Sequence, residues 1–241
     1  MTESDVLEIG AKALGVDLSP EQLAQYIAYL DGLRLWNERT NLTSPSALAN
    51  AVRVHVLDSL TLVPILRREM PQAKRLADVG SGAGFPGLAL KVAMPDLDVV
   101  LIEATGKKAE FLDWTIEKLG LGDVEVLAER AEAVGHRDGY REEFDVVTAR
   151  AVGSMATVLE LTLPLCKVGG VVLAPRGTDA IAEAQAAEDA SSKLGGGTPR
   201  VAPTSQEGAG EHTAVVVVSK TSETPKRYPR RDGMPAKRPL A

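Results

Sequence analysis

The sequence predicts an α/β fold in which a small helical N-terminal region precedes a mostly parallel, seven-stranded sheet that ends in an antiparallel hairpin. Three observations predict it. Apolar residues recur at helical spacing through residues 1–70, short apolar runs alternate with helical segments after Arg75, and only a few residues separate the last two apolar runs. Strands that alternate with helices are typical of βαβ units, whose strands are parallel.

The N-terminal region carries helix signals and no strand-like alternation. Residues 19–22, SPEQ, combine an N-cap serine, a proline at the first helical position and a capping-box glutamine. Apolar residues then follow at helical spacing: Leu23, Ile27, Leu30, Leu33 and Leu35. A second helical run contains Val54, Leu57, Leu60 and Val63. We therefore predict a helical region over residues 1–70.

Seven apolar runs after residue 74 have the length of strands. Five of them alternate with helical segments: RLADVG, DVVLIEA, VEVLAER, FDVVTAR and GGVVLAP. The last two, RVAPTSQE and HTAVVVVSK, are joined by a glycine-containing turn that is too short for a crossover helix, so they predict an antiparallel hairpin. This layout is typical of Rossmann-like class I methyltransferases and not of dinucleotide dehydrogenases. We predict such a domain over residues 71–220 and a tail over residues 221–241.

Composition excludes several classes of protein. One cysteine, Cys166, leaves no disulfide framework and no cysteine cluster for zinc, so we expect no metal site. The N-terminus carries acids where a signal peptide needs positive charge, and no apolar run approaches the roughly 20 residues of a membrane span. We expect a cytoplasmic protein without a membrane partner, and we infer no obligate protein partner. Cys166 lies in an apolar run that we interpret as a core helix face.

The tail differs in charge from the rest of the chain. Residues 224–241 carry a net +5, which leaves −11 for the other residues of a chain whose total is −6. The cations are Lys226, Arg227, Arg230, Arg231, Lys237 and Arg238. A local basic segment is a better guide to a nucleic-acid partner than the average charge. A solvated, solubilising tail is the alternative, and Tyr228 within it either stacks on a base or packs on the domain.

A glycine loop follows the first predicted strand. Gly80, Gly82 and Gly84 allow a tight turn and a close approach to a ligand. The pyrophosphate-binding pattern would need a fourth glycine where this chain has Phe85. Glu103 ends the second strand, where an acid can accept hydrogen bonds from both ribose hydroxyls of a nucleoside. Together with the hairpin, these residues favour S-adenosylmethionine, although a plain strand-to-helix turn and a surface helix cap remain alternatives.

Three further residues follow the ends of later strands. Ala131 and Glu132 come after the third strand, where they would contact the adenine edge of the cofactor. Arg150 comes after the fourth, where ligands bind in an open α/β sheet. Its guanidinium could pair with the edge of guanine, a phosphate or the carboxylate of the methionine part. A structural strand-end arginine is the alternative. On spacing alone, His55 and Asp58 are a structural polar pair on one helical face.

The residues after the fourth strand bear on the methyl acceptor. Methylation at cytosine C5 needs a nucleophilic cysteine, and Cys166 does not fit that role. Methylation of an exocyclic amine usually comes with an Asn/Asp-Pro-Pro-aromatic loop, whereas this chain has TARA at residues 148–151. The N7 atom of guanine is a nucleophile without a proton and needs no general base. A site without an obvious base fits methylation at N7.

Nearly the whole chain resembles the bacterial small-subunit rRNA (guanine-N7) methyltransferases, the RsmG or GidB family. The matching segments are WNERTNLTS from Trp36, HVLDSL from His55, LADVGSGAGFPGLALK from Leu76, RAEAVG from Arg130, FDVVTARAV from Phe144 and the tail TPKRYPRRDGMPAKRPL. The glycine loop alone is generic, but the combination is specific. The resemblance implies that the methyl acceptor is a guanine in the 530 loop of 16S rRNA.

The resemblance also implies roles for individual residues. Cofactor contacts would fall on Gly80, Phe85, Ala131 with Glu132, and Arg150, with Glu103 as the ribose acid. His55 and Asp58 would lie at the lip of the site, where we assign them with Arg150 to catalysis. Arg176 stands where the family often has lysine, and we assign it with the six tail cations to rRNA binding.

Two other functions remain open from the sequence. The chain could be a non-catalytic rRNA-binding assembly factor that retains a methyltransferase fold. It could also be a methyltransferase of the same fold that acts on a small molecule or a protein, in which case the basic tail would be incidental. The sequence does not decide whether naked rRNA, an assembly intermediate or the mature small subunit would be the substrate.

Overall fold

A single twisted sheet organises the chain. The computed structural model describes residues 1–204 and 214–241, and within them the sheet has seven strands in the order β3-β2-β1-β4-β5-β7-β6. The strands are β1 (Arg75–Val79), β2 (Asp98–Ile102), β3 (Val124–Leu127), β4 (Phe144–Ala149), β5 (Cys166–Arg176), β6 (Arg200–Pro203) and β7 (Ala214–Ser219). Strands β1 to β5 pair in parallel, so their carboxyl ends meet at one edge. This arrangement is the predicted fold.

The terminal hairpin is also confirmed. Strand β7 pairs antiparallel with β5 on one side and with β6 on the other. The ends of the two predicted strands and the turn between them, residues 205–213, lie outside the described residues. Val215 and Val217 of β7 belong to one hydrophobic cluster and Val216 and Val218 to the other, so all four are fully buried in a strand covered on both faces.

The N-terminal region is helical, as predicted. It comprises α1 (Glu3–Ala13), α2 (Pro20–Asn37), α3 (Pro45–Ala49), a π-helical segment (Val52–Leu57), α4 (Asp58–Leu60) and α5 (Leu62–Glu69). Helix α2 begins at the predicted capping box, since Ser19 accepts from the Gln22 amide and the Gln22 side chain accepts from the Ser19 amide. Two reciprocal hydrogen bonds satisfy amides that a helix start leaves open.

The helices cover both faces of the sheet. Those after the N-terminal region are α6 (Gly87–Ala93), α7 (Gly106–Leu119), α8 (Ala131–Val134), α9 (Met155–Thr162), α10 (Ala180–Ala186), α11 (Glu188–Lys193) and α12 (Met234–Lys237). Alternate sheet residues point to opposite sides. Leu76 and Val99 join one hydrophobic cluster with the N-terminal helices, α6 and α7, whereas Ala77 and Val100 join a second with α9, α10 and Tyr228. The N-terminal helices therefore share a core with the sheet.

Cys166 corrects one local expectation. We placed it on an apolar helix face, but α9 ends at Thr162 and Cys166 is the first residue of β5. The run that follows the helix is therefore a strand start, since apolar composition alone does not separate a buried helix end from a buried strand. Cys166 is fully buried, as expected, and burial raises the pKa of its thiol to about 12.

The tail packs against the second face of the sheet. Tyr228 is buried there, so it packs on the domain. Arg141 donates to the carbonyl oxygens of Thr224 at 2.7 Å and of Tyr228 at 2.9 Å. The tail therefore packs on the hydrophobic core of the domain. None of the helices in the described ranges is long and apolar enough to cross a membrane.

The contact between α2 and α6 gives a stability prediction. The buried Tyr26 hydroxyl donates to the Ala89 carbonyl oxygen at 2.6 Å. We expect Tyr26→Phe to lower the free energy of unfolding by about 1–2 kcal/mol, because it removes a buried hydrogen bond while keeping the ring. Chemical denaturation measures the change.

The control is the same substitution at Tyr140, whose hydroxyl donates to Glu125 on the surface. We expect Tyr140→Phe to change the free energy of unfolding by less than about 0.5 kcal/mol. Equal effects of the two substitutions would contradict the assignment of Tyr26 as the anchor between α2 and α6.

Candidate active site

The glycine loop turns away from the carboxyl end of β1. Gly80, Gly82 and Gly84 all have positive φ angles, which side chains with a Cβ rarely adopt. At Gly84 space is limiting as well, because an added Cβ would lie 2.3 Å from the Tyr29 hydroxyl oxygen and 2.8 Å from a Leu88 methyl carbon. The loop thus requires glycine for its backbone and, at Gly84, for its fit against α2.

Glu103 holds the glycine loop from the end of β2. One carboxylate oxygen accepts from the Gly82 amide at 2.9 Å, and the other accepts from the Thr105 amide at 2.8 Å. Glu103 is buried, with 7% of its surface exposed. A carboxylate has about four lone-pair positions, so each oxygen keeps acceptor capacity for a second donor. The geometry suits an acid that fixes the loop and also accepts from a ligand.

A cleft of about 260 Å³ opens at the carboxyl ends of β1, β2 and β3. Four of the residues assigned to cofactor binding line it: Gly80, Glu103, Ala131 and Glu132. Its apolar lining includes Val79, Ile102, Val152 and Leu161. The other residues assigned to cofactor binding, Gly82, Gly84, Phe85 and Arg150, are not among the residues that line it.

Arg150 contacts the other two residues assigned to catalysis, His55 and Asp58. Its Nη1 donates to Asp58 Oδ2 at 3.0 Å and to the Val54 carbonyl oxygen at 3.2 Å, and its Nη2 lies 3.3 Å from His55 Nδ1. Asp58 is completely buried, and the Arg150 side chain is 13% exposed. His55 and Asp58 belong to the N-terminal region and Arg150 follows β4, so the cluster joins the two parts of the chain.

The contacts of His55 fix its charge and its tautomer. A guanidinium has donors only, so Nδ1 accepts from Arg150 and the ring is neutral. Nε2 then carries the hydrogen and donates to Thr43 Oγ1 at 2.8 Å. Burial, and next the charge of Arg150, lower the pKa of His55 to about 4, although Asp58 opposes the shift. Both ring nitrogens are therefore engaged in hydrogen bonds.

Phe85 belongs to a stack of rings between the helices and the loop. Its ring lies parallel to Tyr29 on one side and nearly parallel to His55 on the other, with centroids 4.8 Å apart in both pairs. Arg150 lies 5.7 Å from the same ring. The Tyr29 hydroxyl donates to the Ala83 carbonyl oxygen in the glycine loop. Phe85 therefore positions His55 and the loop relative to each other.

Sequence reasoning missed three residues of this site: Tyr29, Thr43 and Asp78. Asp78 is the second-to-last residue of β1, just before the glycine loop. Its carboxylate accepts hydrogen bonds from the Gly87 amide and the Thr148 hydroxyl, both at 3.0 Å. It is fully buried, and burial raises its pKa to about 6, although these hydrogen bonds oppose the shift. Its place directly before the glycine loop was the available signal. Tyr29 carried no local signal, and Thr43 lies in the segment WNERTNLTS that contributes to the family resemblance.

The residues assigned to rRNA binding fall into two groups. Five tail cations are exposed: Lys226, Arg227, Arg231, Lys237 and Arg238. Arg230 instead pairs with the buried Glu160, and Arg176 is buried, 2.9 Å from Glu183. The guanidinium groups of these two arginines are held by acids of the domain. The described ranges contain no group of three His, Cys, Asp or Glu residues that could hold a metal ion.

The shifted pKa values of Asp78 and His55 predict how stability depends on pH. Between about pH 4 and pH 6, folded Asp78 keeps a proton that the unfolded chain has lost, so its contribution to stability falls as pH rises. We expect the free energy of unfolding of Asp78→Asn, relative to the unaltered protein, to rise by about 2 kcal/mol from pH 4 to pH 7. Denaturant unfolding at several pH values measures it.

His55 should change stability with pH in the opposite direction to Asp78. Its pKa is lowered in the folded state, so the unfolded chain binds the proton first, and its contribution to stability grows from about pH 4 to about pH 6.5. The free energy of unfolding of His55→Asn, relative to the unaltered protein, should therefore fall over the same range. Differences that do not change with pH would contradict the burial of both groups.

Comparison with known proteins adds sequence relatives. The GidB family model, described as rRNA small subunit methyltransferase G, matches residues 22–209. The chain is 47% identical to a ribosomal RNA small subunit methyltransferase G of Chloroflexus aggregans, over 95% of this chain and 94% of that protein. It is 45% identical to a protein of the same name from Roseiflexus sp. (strain RS-1), over 98% and 99% of the two chains.

Solved structures resemble this one in fold. A SAM-dependent O-methyltransferase from Thermotoga maritima superposes with a TM-score of 0.52 at 14% identity, over 74% of this chain and 71% of that one. Identity at this level supports the architecture alone, which is that of class I methyltransferases. The sequence match, by contrast, covers the glycine loop and the Arg150 cluster. The chain belongs to the GidB family of small-subunit rRNA methyltransferases G.

Proposed function

We propose that this protein transfers a methyl group from S-adenosylmethionine to N7 of a guanine in the 530 loop of 16S rRNA. One observation carries the proposal more than any other. Arg150, His55 and Asp58 form a hydrogen-bonded cluster at the carboxyl edge of the sheet, in which both nitrogens of His55 are engaged. Family membership supports an rRNA substrate, because the relatives carry that activity in their names.

The cleft beside the glycine loop fits the nucleoside part of the cofactor. The Glu103 carboxylate has acceptor capacity left for the two ribose hydroxyls. Ile102 and Leu161 offer apolar surfaces to a purine ring, and Glu132 supplies an acceptor for its exocyclic amine. Gly80, with a positive φ, lets the backbone line the cleft without a side chain. The residues are of the type that S-adenosylmethionine requires.

The reaction is an in-line displacement. Bound S-adenosylmethionine supplies an electrophilic methyl group, so that a C–N7 bond forms as the C–S bond breaks and its electron pair goes to sulfur. The chain has to hold the guanine in line with that bond and exclude water, which accounts for much of the rate of such a reaction. The stacked rings of Phe85 and His55 lie beside the Arg150 guanidinium and orient it.

The state of His55 fits a nucleophile without a proton. N7 of guanine carries a lone pair and no hydrogen, so its methylation needs no general base. His55 Nδ1 accepts from Arg150 while Nε2 donates to Thr43, so the histidine positions neighbours and does not take up a proton. Arg150 would donate to guanine O6, which leaves the N7 lone pair free to attack the methyl group.

The exposed cations of the tail supply the RNA contact. Lys226, Arg227, Arg231, Lys237 and Arg238 are exposed on one segment that is itself docked on the domain. Lysine and arginine that neutralise phosphates make binding steeply dependent on salt. Arg230 and Arg176 pair instead with Glu160 and Glu183, which are acids of the domain.

Two other functions make different predictions. A non-catalytic assembly factor of the same fold would bind small-subunit rRNA without transferring a methyl group. A methyltransferase of a small molecule or a protein would bind S-adenosylmethionine, and rRNA would not compete with its substrate. The engaged Arg150 cluster and the glycine loop favour a catalytic protein over the assembly factor.

The first experiment identifies the acceptor. Purified protein is incubated with labelled S-adenosylmethionine and with either 16S rRNA or small subunits from cells that lack the corresponding enzyme. Nuclease digestion and mass mapping should then find one N7-methylguanosine in the 530 loop. Cofactor binding without transfer to either substrate would contradict the proposal in favour of a non-catalytic role or another acceptor.

The second experiment addresses Arg150. Arg150→Lys keeps a positive charge beside the buried Asp58 but loses the planar fork of donors. We expect the turnover to fall at least about tenfold, since a charge-assisted hydrogen bond contributes about 1.5–3 kcal/mol. Arg75→Lys is the control, because Arg75 lies at the opposite, amino end of β1 and pairs with Asp98. Equal turnover of both variants would remove Arg150 from the site.

A further inference from the structure

The C-terminal tail contacts the helices that form the cofactor cleft. Glu132, which lines the cleft, accepts from the Gly233 amide through Oε1 at 2.8 Å. On α9, the Thr157 hydroxyl donates to the Pro235 carbonyl oxygen at 3.0 Å. The His136 ring donates to the Pro229 carbonyl oxygen through Nε2 at 2.7 Å. The tail therefore touches both α8 and α9.

The tail also forms an ion pair with a buried acid of α9. Glu160 Oε1 accepts from the Arg230 amide at 2.9 Å and from Nε at 2.7 Å, and Oε2 accepts from Nη2 at 2.5 Å. Glu160 is completely buried, so its charge depends on Arg230 for compensation. The next residue along α9, Leu161, lines the cleft. Arg230 thus fixes the tail to the helix that forms one wall.

We infer that the docked tail is a positioning element of the cofactor cleft. In this arrangement the Gly233 amide orients the Glu132 carboxylate, and the Arg230–Glu160 pair holds the tail in the place where it can do so. The inference rests on the proposed function, since it assumes that the cleft binds S-adenosylmethionine. It gives the tail a role that is separate from its exposed cations.

Solvent exposure separates the tail residues that contact the domain from those that are free to contact RNA. Gly233 is half-buried and Arg230 is partly buried, and both face the domain, whereas Arg231, Lys237 and Arg238 are exposed. An RNA that binds the exposed cations does not have to break the contacts to Glu132 and Glu160. Cofactor affinity and RNA affinity should therefore respond to different residues of one short segment.

The test uses full-length variants and S-adenosylhomocysteine as the probe. Gly233→Pro removes the amide donor and, because proline fixes φ at about −65° whereas Gly233 has φ +71°, also displaces the turn that carries it. Gly233→Ala keeps the amide, and a Cβ at this position meets nothing within 4 Å. We expect Gly233→Pro to weaken binding at least about tenfold by calorimetry, since it loses a hydrogen bond to a carboxylate and the local backbone conformation. Gly233→Ala should show a smaller loss, which comes only from its positive φ of 71°.

The matched control is the double variant Lys237→Ala, Arg238→Ala. It should weaken binding to 16S rRNA and leave the affinity for S-adenosylhomocysteine unchanged. In steady-state methylation, Gly233→Pro should raise KM for S-adenosylmethionine and leave kcat at saturation unaltered, which a general loss of structure would not do. Unaltered affinity of Gly233→Pro would overturn the inference.

A second measurement uses the unaltered chain and does not depend on how a variant folds. Hydrogen exchange of the amides in residues 228–236 should slow when S-adenosylhomocysteine is added, because the ligand and the Gly233 amide hold the same carboxylate. If S-adenosylhomocysteine binds but the exchange rates do not change, the inference is overturned and the proposed function is not. If the unaltered chain fails to bind S-adenosylhomocysteine, the proposed function falls, and the inference falls with it.

Discussion

The ion pair between Arg150 and Asp58 is the contact on which the arrangement of the site depends. Asp58 is completely buried, and a buried carboxylate is stable only when a partner compensates its charge. Arg150 does so from the end of β4, 92 positions along the chain. The same guanidinium fixes the neutral state of His55 and approaches the ring of Phe85. One pair therefore sets the position of the N-terminal helices, the tautomer of a histidine and the wall of the site.

The glycine loop is held from two sides. From the sheet, Glu103 accepts from the Gly82 amide, and from the N-terminal region Tyr29 donates to the Ala83 carbonyl oxygen. Asp78 adds a third anchor at the start of α6. Such a loop needs little further ordering when a ligand arrives, which lowers the entropic cost of binding. The N-terminal helices therefore help to hold the glycine loop beside the cleft.

Much of the fold could be predicted from the sequence because its signals are local. The capping box at Ser19, the short apolar runs and the spacing of the last two strands each depend on adjacent residues. The same holds for Gly80 and Glu103, which follow directly after strands and line the cleft. The spacing of His55 and Asp58 suggested a polar pair on one helical face. In the structure, a π-helical segment and a short α-helix carry them, and Arg150 contacts both.

Contacts between distant segments could not be predicted in this way. Glu160 lies within an apolar run, and nothing near it in sequence indicates that Arg230, 70 positions away, compensates its charge. Tyr29 likewise gives no sign that its hydroxyl reaches the glycine loop, 54 positions on. A count of basic residues also treats Arg230 and Arg231 alike, whereas their different burial separates them. Charge composition indicated the type of partner, but it could not tell which cations face outward.

The contact between Glu132 and Gly233 has a consequence for folding. It joins residues 101 positions apart, and β4, β5, β6 and β7 lie between them. A contact of such long range forms only after the intervening segments have brought its two ends together. The Glu132 carboxylate therefore acquires this partner late in folding, after the sheet has formed.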